Sequence, residues 1–171
     1  MHEIVFDGPV TDTRPLRQAL GRFATGVTVI TTVSRSGKTE GLTCNSFAAV
    51  SLDPPLVLWS LRNDAASVQS FTDAEHFAVS VLASDQSAIS NHFATRHEDK
   101  FGMIDHQRGH GDCPVIVNAL ASFECKIHSV HQGGDHLVFF GQVLRATYRD
   151  GEPLLFAGGT YCKPVPLVPK V

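Results

Sequence analysis

Short apolar runs separated by turn residues dominate the chain and predict a mainly β fold. Residues 27–33 are β-branched throughout, and the turn residues 34–38 separate them from a second run that begins at Gly41. Because so short a connection joins neighbouring strands antiparallel, the two runs predict a hairpin. A further run, 56–61, follows the sequence Asp-Pro-Pro at 53–55, where the prolines end one strand and redirect the chain into the next.

The second half of the chain predicts two more central strands. Residues 121–128 alternate between apolar and polar, which predicts a strand whose polar face, with Ser122 and Glu124, meets water. Residues 137–148 are almost unbroken in apolar side chains, so we expect them in the interior of the sheet.

Two or three short helices and one long loop are predicted around these strands. The first helix follows a cap at Asp12 or Thr13, the second covers 63–71, and the third covers 85–93. Residues 94–114 lack periodicity and predict an irregular loop over one face of the domain.

These elements predict one domain of six or seven strands with short flanking helices. Residues 77–82 and 154–161 supply two of the remaining strands, and a proline-rich end follows the second. Hairpin connections favour an antiparallel barrel or sandwich over a doubly wound sheet. No GxGxxG follows a strand, so the Rossmann fingerprint of dinucleotide binding is absent from the sequence.

Composition excludes several classes of protein. The 171 residues carry a net charge of -3, and the 14 lysines and arginines are scattered, which disfavours a nucleic-acid partner. The longest apolar run, 137–144, is far too short to span a membrane. Four cysteines without a CxxC pair, and a start without the features of a signal peptide, indicate reduced thiols in a cytoplasmic protein.

A cluster of four small polar residues stands between the hairpin and the next apolar run. Thr43, Cys44, Asn45 and Ser46 could direct hydroxyl, amide and backbone N–H groups at one ligand. Threonine and serine at a strand end also often satisfy only nearby backbone groups. The sequence pattern alone leaves both interpretations open.

Familiar catalytic and metal motifs are missing from the sequence. It contains neither GxSxG nor HExxH. His106, His110 and Cys113 have the spacing of metal ligands, but a structural zinc site needs a fourth, so we expect a solvated histidine-rich loop and no metal. Cys44 has no histidine near it in sequence, which favours a core or pocket-wall cysteine over a nucleophile.

Five sequence blocks stand out in order along the chain. They are FATGVTVITT from Phe23, GLTCNSFAAVSLDPPLVLWSL from Gly41, FAVSVLASDQ from Phe77, KF at Lys100 and Phe101, and GGDHLVFFGQV from Gly133. In this order the blocks resemble the short-chain flavin reductase family, the reductase components of two-component flavin-dependent monooxygenases. The resemblance implies the FMN-binding split β-barrel of that family, over residues 13–163, with tails at 1–12 and 164–171.

The resemblance also implies a set of site residues. The cluster at 43–46 would contact the flavin ring and ribityl chain, two serines would lie near the ribityl and phosphate groups, and the lysine of KF would pair with the phosphate. The histidine of the GDH triplet would lie beside the flavin face that receives the nicotinamide. The implied catalytic residue is His136, and the implied cofactor-binding residues are Thr43, Cys44, Asn45, Ser46, Ser60, Ser67, Lys100, Phe101, Gly134, Asp135 and Tyr161.

The activity that the resemblance implies is hydride transfer from NADH or NADPH to FMN or FAD. Such a transfer depends on stacking two rings at about 3–3.5 Å and excluding water, so the missing triad is expected. Family resemblance further implies a homodimer with the flavin near the subunit interface, and a flavin-dependent monooxygenase that receives the reduced flavin.

Two other functions remain open from the sequence. One is a flavin-binding electron carrier or flavin-sequestering module of the same fold, without nucleotide oxidation. The other is a split-barrel interaction protein whose polar cluster is structural. Nor does the sequence choose between NADH and NADPH, because Arg22, Arg35, Arg62 and Arg96 could each meet a 2′-phosphate.

Overall fold

The computed structural model describes residues 12–167, in which twelve strands form three sheets. Every strand pairing is antiparallel, which confirms the predicted mainly β fold, although the strands number twelve and not six or seven. The strands are β1 (Thr25–Gly26), β2 (Thr28–Val33), β3 (Thr39–Cys44), β4 (Ala48–Leu52), β5 (Pro55–Arg62), β6 (His76–Val81), β7 (His106–Arg108), β8 (Pro114–Ile116), β9 (Ala121–Gly133), β10 (His136–Tyr148), β11 (Leu155–Ala157) and β12 (Thr160–Cys162).

The main sheet has seven strands in the order β3-β2-β6-β9-β10-β5-β4. The predicted hairpin is confirmed, because β2 and β3 pair from Thr28 with Cys44 to Val33 with Thr39. Strand β10 lies between β9 and β5, as its apolar run predicted. The prolines at 53–55 separate β4 from β5, which pair with each other.

Aromatic side chains fill the main core of this sheet. Trp59 stacks on Phe139 with ring centroids 4.7 Å apart, and Phe71 and Phe77 meet the indole edge-on. Gly141 leaves room for Phe77, because a Cβ at position 141 would overlap its ring. This rigid core supports the ends of β3, β5 and β10, which build the site described below.

The predicted solvent face of β9 is confirmed for Lys126 and His128, which are exposed, and wrong for the first half of the strand. Ser122 and Glu124 are buried, because β7, a short 3-10 helix at His110–Asp112 and β8 cover that face. The same elements correct the expectation of an irregular loop over 94–114. Periodicity along one strand cannot reveal a cover that comes from another segment of the chain.

The helices agree with the sequence in number and differ in extent. Helix α1 (Arg14–Leu20) has no buried residue, α2 (Val68–Thr72) begins only after Ser67, and α3 (Ser87–Ala94) starts two residues later than predicted. The chain before α2 is instead a turn, in which the Asn63 N–H donates to the Asp135 carbonyl at 3.0 Å.

The last predicted strand, 154–161, is two strands. Gly158 and Gly159 have positive φ values of 57° and 84° and form the turn between β11 and β12. These strands and β1 make a small three-stranded sheet. None of the helices among residues 12–167 is long and apolar enough to cross a membrane. Most of the two predicted tails lies outside the described residues.

Candidate active site

One cavity of about 760 Å³ opens where the ends of β3 and β5 meet the segments beside α2 and α3. Its wall joins residues far apart in sequence, including Asn45, Ser60 and His136. Eight of the twelve residues implied by the family resemblance line it: Thr43, Cys44, Asn45, Ser46, Ser60, Ser67, Lys100 and His136.

The polar cluster at the end of β3 divides into structural and available groups. The Thr43 hydroxyl donates to the Ser90 carbonyl at 2.5 Å, which ties β3 to α3. The Ser46 hydroxyl accepts the Ser60 N–H at 2.9 Å and so joins two walls of the cavity. Asn45 makes no side-chain hydrogen bond within residues 12–167 and is exposed in the cavity wall. The structural interpretation therefore applies to Thr43 and Ser46, and ligand binding stays a prediction for Asn45.

Lys100 binds the protein's own backbone. Its Nζ donates to the Gly41 carbonyl at 2.8 Å and to the Phe93 carbonyl at 3.2 Å. Burial lowers the pKa of the ammonium, against a weaker opposing effect of the Glu40 carboxylate. Lys100 therefore ties β3 and α3 to the segment that follows α3, and it reaches the cavity with only part of its donor capacity.

Phe101 lies behind the cavity wall. Its ring meets Phe93 at 5.3 Å and His106 at 5.4 Å between centroids. The side chain of Phe93 does line the cavity. Phe101 thus supports the wall from the core side, which agrees with a packing role.

His136 begins β10 directly after the turn that contains Gly134 and Asp135. Gly134 adopts a positive φ of 65°, which glycine accepts without strain. The Nδ1 atom of His136 lies 2.7 Å from Asp135 Oδ1, and this hydrogen bond lowers the pKa of the Asp135 carboxyl. Gly134 and Asp135 do not line the cavity, whereas the half-buried ring of His136 does. The turn orients the imidazole and leaves Nε2 for a ligand.

Tyr161 belongs to a smaller adjoining cavity of about 190 Å³. Its hydroxyl lies 2.8 Å from the hydroxyl of Ser90 on α3. The carbonyl of the same serine accepts the hydrogen bond of Thr43. The two cavities share Thr43 and Asn45 as a common wall. Tyr161 is therefore adjacent to the main site through that wall.

Sequence reasoning missed two segments of the lining. Residues 64–66 follow β5, and residues 95–97, of which the sequence had suggested only Arg96, follow α3. Their only sequence signal is position, because each comes directly after a regular element whose end the site uses. Of the four arginines considered for a nucleotide phosphate, Arg62 and Arg96 line the cavity, and Arg22 and Arg35 do not.

Two cysteines and two histidines outside the cavity are buried or bonded to other groups of the fold. Burial raises the pKa of the Cys113 thiol to about 11 and that of Cys125 to about 12, so both stay protonated near neutral pH. His106 Nδ1 lies 2.8 Å from the Ile104 carbonyl oxygen, and His110 Nδ1 lies 2.6 Å from Glu124. Across residues 12–167, no group of three or more His, Cys, Asp or Glu side chains could hold a metal ion.

Glu124 forms a second polar cluster, under the 3-10 helix and away from the cavity. Its carboxylate accepts the His110 N–H at 2.8 Å and a hydrogen bond from Arg145 at 3.3 Å. Burial acts to raise the pKa of Glu124, but the hydrogen bonds and charges of His110 and Arg145 outweigh it, and the net pKa lies below its ordinary value. The carboxylate therefore stays ionised inside the protein.

The antiparallel fold and the polar cavity at the strand ends define a known class. Residues 20–164 match the model of the flavin reductase like domain, and the chain belongs to that family. The family assignment from the sequence is thereby confirmed.

Relatives of this chain carry specific names. It is 46% identical over 160 residues to the "FMN reductase (NADH) SmoA" of Agrobacterium fabrum, covering 94% of this chain and 91% of that protein. It is 41% identical to the "Flavin-dependent monooxygenase, reductase subunit HsaB" of Rhodococcus jostii, covering 94% and 85%. Some other relatives are longer, and the chain spans only about half of their length. One of them is a "Probable flavin reductase" of Rhizobium meliloti, of which the match covers 50%.

Solved structures share the fold. The Streptomyces globisporus NADH:FAD oxidoreductase SgcE6 superposes with a TM-score of 0.86 at 38% identity, covering 95% of this chain and all of that one. The same protein has also been solved in complex with NAD and FAD fragments. A Sinorhizobium meliloti oxidoreductase superposes with a TM-score of 0.87 at 41% identity, and this chain covers 54% of it.

Proposed function

We propose that this protein is a flavin reductase that uses NADH or NADPH to reduce FMN or FAD, and that a separate monooxygenase consumes the reduced flavin. The observation that carries the proposal is the shared cavity of Asn45, Ser60 and His136 in a chain of the flavin reductase family. Named relatives include NADH-dependent FMN and FAD reductases and reductase subunits of monooxygenases.

The lining fits a flavin with a second ring beside it. Within residues 12–167 the Asn45 amide, the Ser67 hydroxyl and His136 Nε2 line the cavity without a hydrogen-bond partner. These groups suit the polar edge of an isoalloxazine and its ribityl chain. The apolar side chains of Leu42, Leu61 and Phe93 complete the wall and suit its flat faces.

The chain's own residues hold and orient the reactants. A bound flavin supplies the hydride-accepting ring, and the nicotinamide supplies the hydride. Asn45 and neighbouring backbone N–H groups act as donors toward the flavin edge on which negative charge develops. His136, fixed by Asp135, orients the nicotinamide through Nε2. Close approach of the two rings and exclusion of water, rather than a strong base, supply the acceleration.

Anaerobic stopped-flow mixing tests the proposal. Protein with FMN, FAD or riboflavin is mixed with NADH or NADPH, and the visible absorbance of the flavin is followed. Catalysed bleaching with at least one donor is expected. If the protein bound flavin but neither donor bleached it, the proposed enzyme activity would be contradicted. The flavin-binding carrier or sequestering module would then be the better function.

We also propose that the active form is a homodimer in the cytoplasm. Strand β4 is an edge of the main sheet, and it exposes the apolar side chains of Val50 and Leu52, the latter to 94%. Exposed apolar edges of this kind are normally covered by another chain. Sedimentation of the protein should give twice the chain mass, and Leu52→Lys should shift the equilibrium toward monomer, whereas a monomeric wild type would contradict this.

A further inference from the structure

The cations of the cavity are not equivalent, and their partners indicate which one is available to an anion. This inference rests on the proposed function, because the anion considered is a nucleotide phosphate. FMN, FAD and NADPH each carry phosphate groups that need a cationic partner once they leave water. Arginine suits that purpose best, because its planar fork binds two phosphate oxygens at once.

Two of the lining cations are already neutralised. Lys38 Nζ lies 2.6 Å from Glu40, whose side chain is only 16% exposed, and Arg62 lies 2.7 Å from Asp64. Both acids belong to the cavity wall as well. An anion approaching either cation would meet the paired carboxylate at the same time.

Lys100 is committed to the backbone. Two of its three ammonium donors bind the Gly41 and Phe93 carbonyls, and burial lowers its pKa. The sequence block that contains Lys100 suggested a phosphate partner at this position. In the folded chain the residue is better placed to fix the wall than to bind a ligand.

The histidines of the cavity are also engaged. His97 Nε2 lies 2.7 Å from the Thr95 hydroxyl, and its ring stacks on His92 at 4.3 Å. His136 Nδ1 is held by Asp135. Each imidazole therefore has its orientation set by a neighbouring side chain.

Arg96 is the remaining cation. It lies between Thr95 and His97 in the segment after α3 and lines the cavity. Over the stretch 12–167 its guanidinium has neither a carboxylate within 4.0 Å nor a hydrogen bond to another group. We propose that Arg96 binds the nucleotide phosphate at this end of the cavity, and that Lys100 is a positioning residue for the wall that carries it.

Two sources of phosphate share this chemistry, the flavin phosphate and the 2′-phosphate of NADPH. Dissociation constants of Arg96→Gln for FMN and riboflavin, from fluorescence titration, test the first source. KM values for NADPH and NADH test the second. A tenfold loss for the phosphate-bearing member of either pair, with its partner little changed, supports the proposal and identifies the source. Arg96→Lys should lose about threefold, because it keeps the charge and loses the fork.

Arg35→Gln is the matched control, because Arg35 pairs with Glu75 and lies outside the cavity. It should leave all four constants unchanged. Equal losses within both pairs in Arg96→Gln, or no loss in either, would overturn the assignment of Arg96 while leaving the flavin reductase intact. Wild-type protein that binds no flavin would overturn the proposed function and, with it, this assignment.

Discussion

The two polar clusters of this protein differ in what their side chains bind. Both carboxylate oxygens of Glu124 accept hydrogen bonds inside the fold, and the carboxylate is buried. At the end of β3, by contrast, the Asn45 amide lines a cavity and has no hydrogen-bond partner in the described part of the chain, residues 12–167. Because buried polar groups are costly unless paired, the first cluster stabilises the fold and the second is available to a ligand.

Removing the charge of the first cluster should have the largest effect on stability. We expect Glu124→Gln to lower the free energy of unfolding by about 3 kcal/mol, because it breaks a buried charge network. Urea unfolding measures this loss. The control is Glu75→Gln, which removes the exposed ion pair of Glu75 with Arg35. It should change the free energy of unfolding by less than about 0.5 kcal/mol. If Glu124→Gln weakened flavin binding at unchanged stability, the contrast between the clusters would be wrong.

A substitution in the wall of the cavity should lower the free energy of unfolding by less than Glu124→Gln does. A methyl group at position 41 would lie 2.6 Å from the Phe93 ring, so Gly41→Ala should lower the free energy of unfolding by about 2 kcal/mol. It should also weaken FMN binding, because Phe93 and Lys100 line the site. Gly26→Ala, where a Cβ would meet nothing within 4 Å, is the control and should keep both values.

Within the second cluster, Asn45 and Ser46 should separate binding from stability. Asn45→Ala should raise the dissociation constant for FMN about fivefold and leave the free energy of unfolding within about 0.5 kcal/mol. Ser46→Ala should lower that free energy by about 1 kcal/mol, since it leaves the Ser60 N–H unpaired. Calorimetric titration and urea unfolding of both variants decide this. Equal stability losses would show that Asn45 is structural too.

The Glu124 cluster should make the free energy of unfolding fall more steeply with pH in acid. The folded pKa of Glu124 lies below the ordinary value of 4.5, so the carboxylate stabilises the fold above that pH. This contribution is lost as the pH falls from about 4.5 through the lower, folded pKa. Wild-type stability should therefore decline more steeply below pH 4.5 than that of Glu124→Gln. Parallel curves from unfolding at stepped pH would argue against an ionised Glu124.

The sequence predicted the strands well, but it did not predict which segments pack over the face of the sheet. β-branched runs and turn residues identify β2, β3 and their pairing, because those signals are local. The burial of Glu124 depends on a segment more than ten residues away, and the late start of α2 depends on a bond from Asn63 to the β9–β10 turn. Such contacts have no periodic signature in either partner.

Contacts between distant segments also limited what the sequence could predict about the site. Family resemblance led to eight of the lining residues, yet it could not show that Lys100 is bound to two carbonyls. That distinction depends on where α3 ends relative to β3. Arg96 carries no sequence signal of its own and is identified only by the partners that the other cations already have.

A crystal structure with FMN and a non-reducing nicotinamide analogue tests the central claim most directly. The account predicts an isoalloxazine in contact with Asn45 and Ser60, with the nicotinamide stacked on it beside His136. Flavin bound elsewhere on the chain, or in this cavity with both ring faces covered by protein, would contradict it.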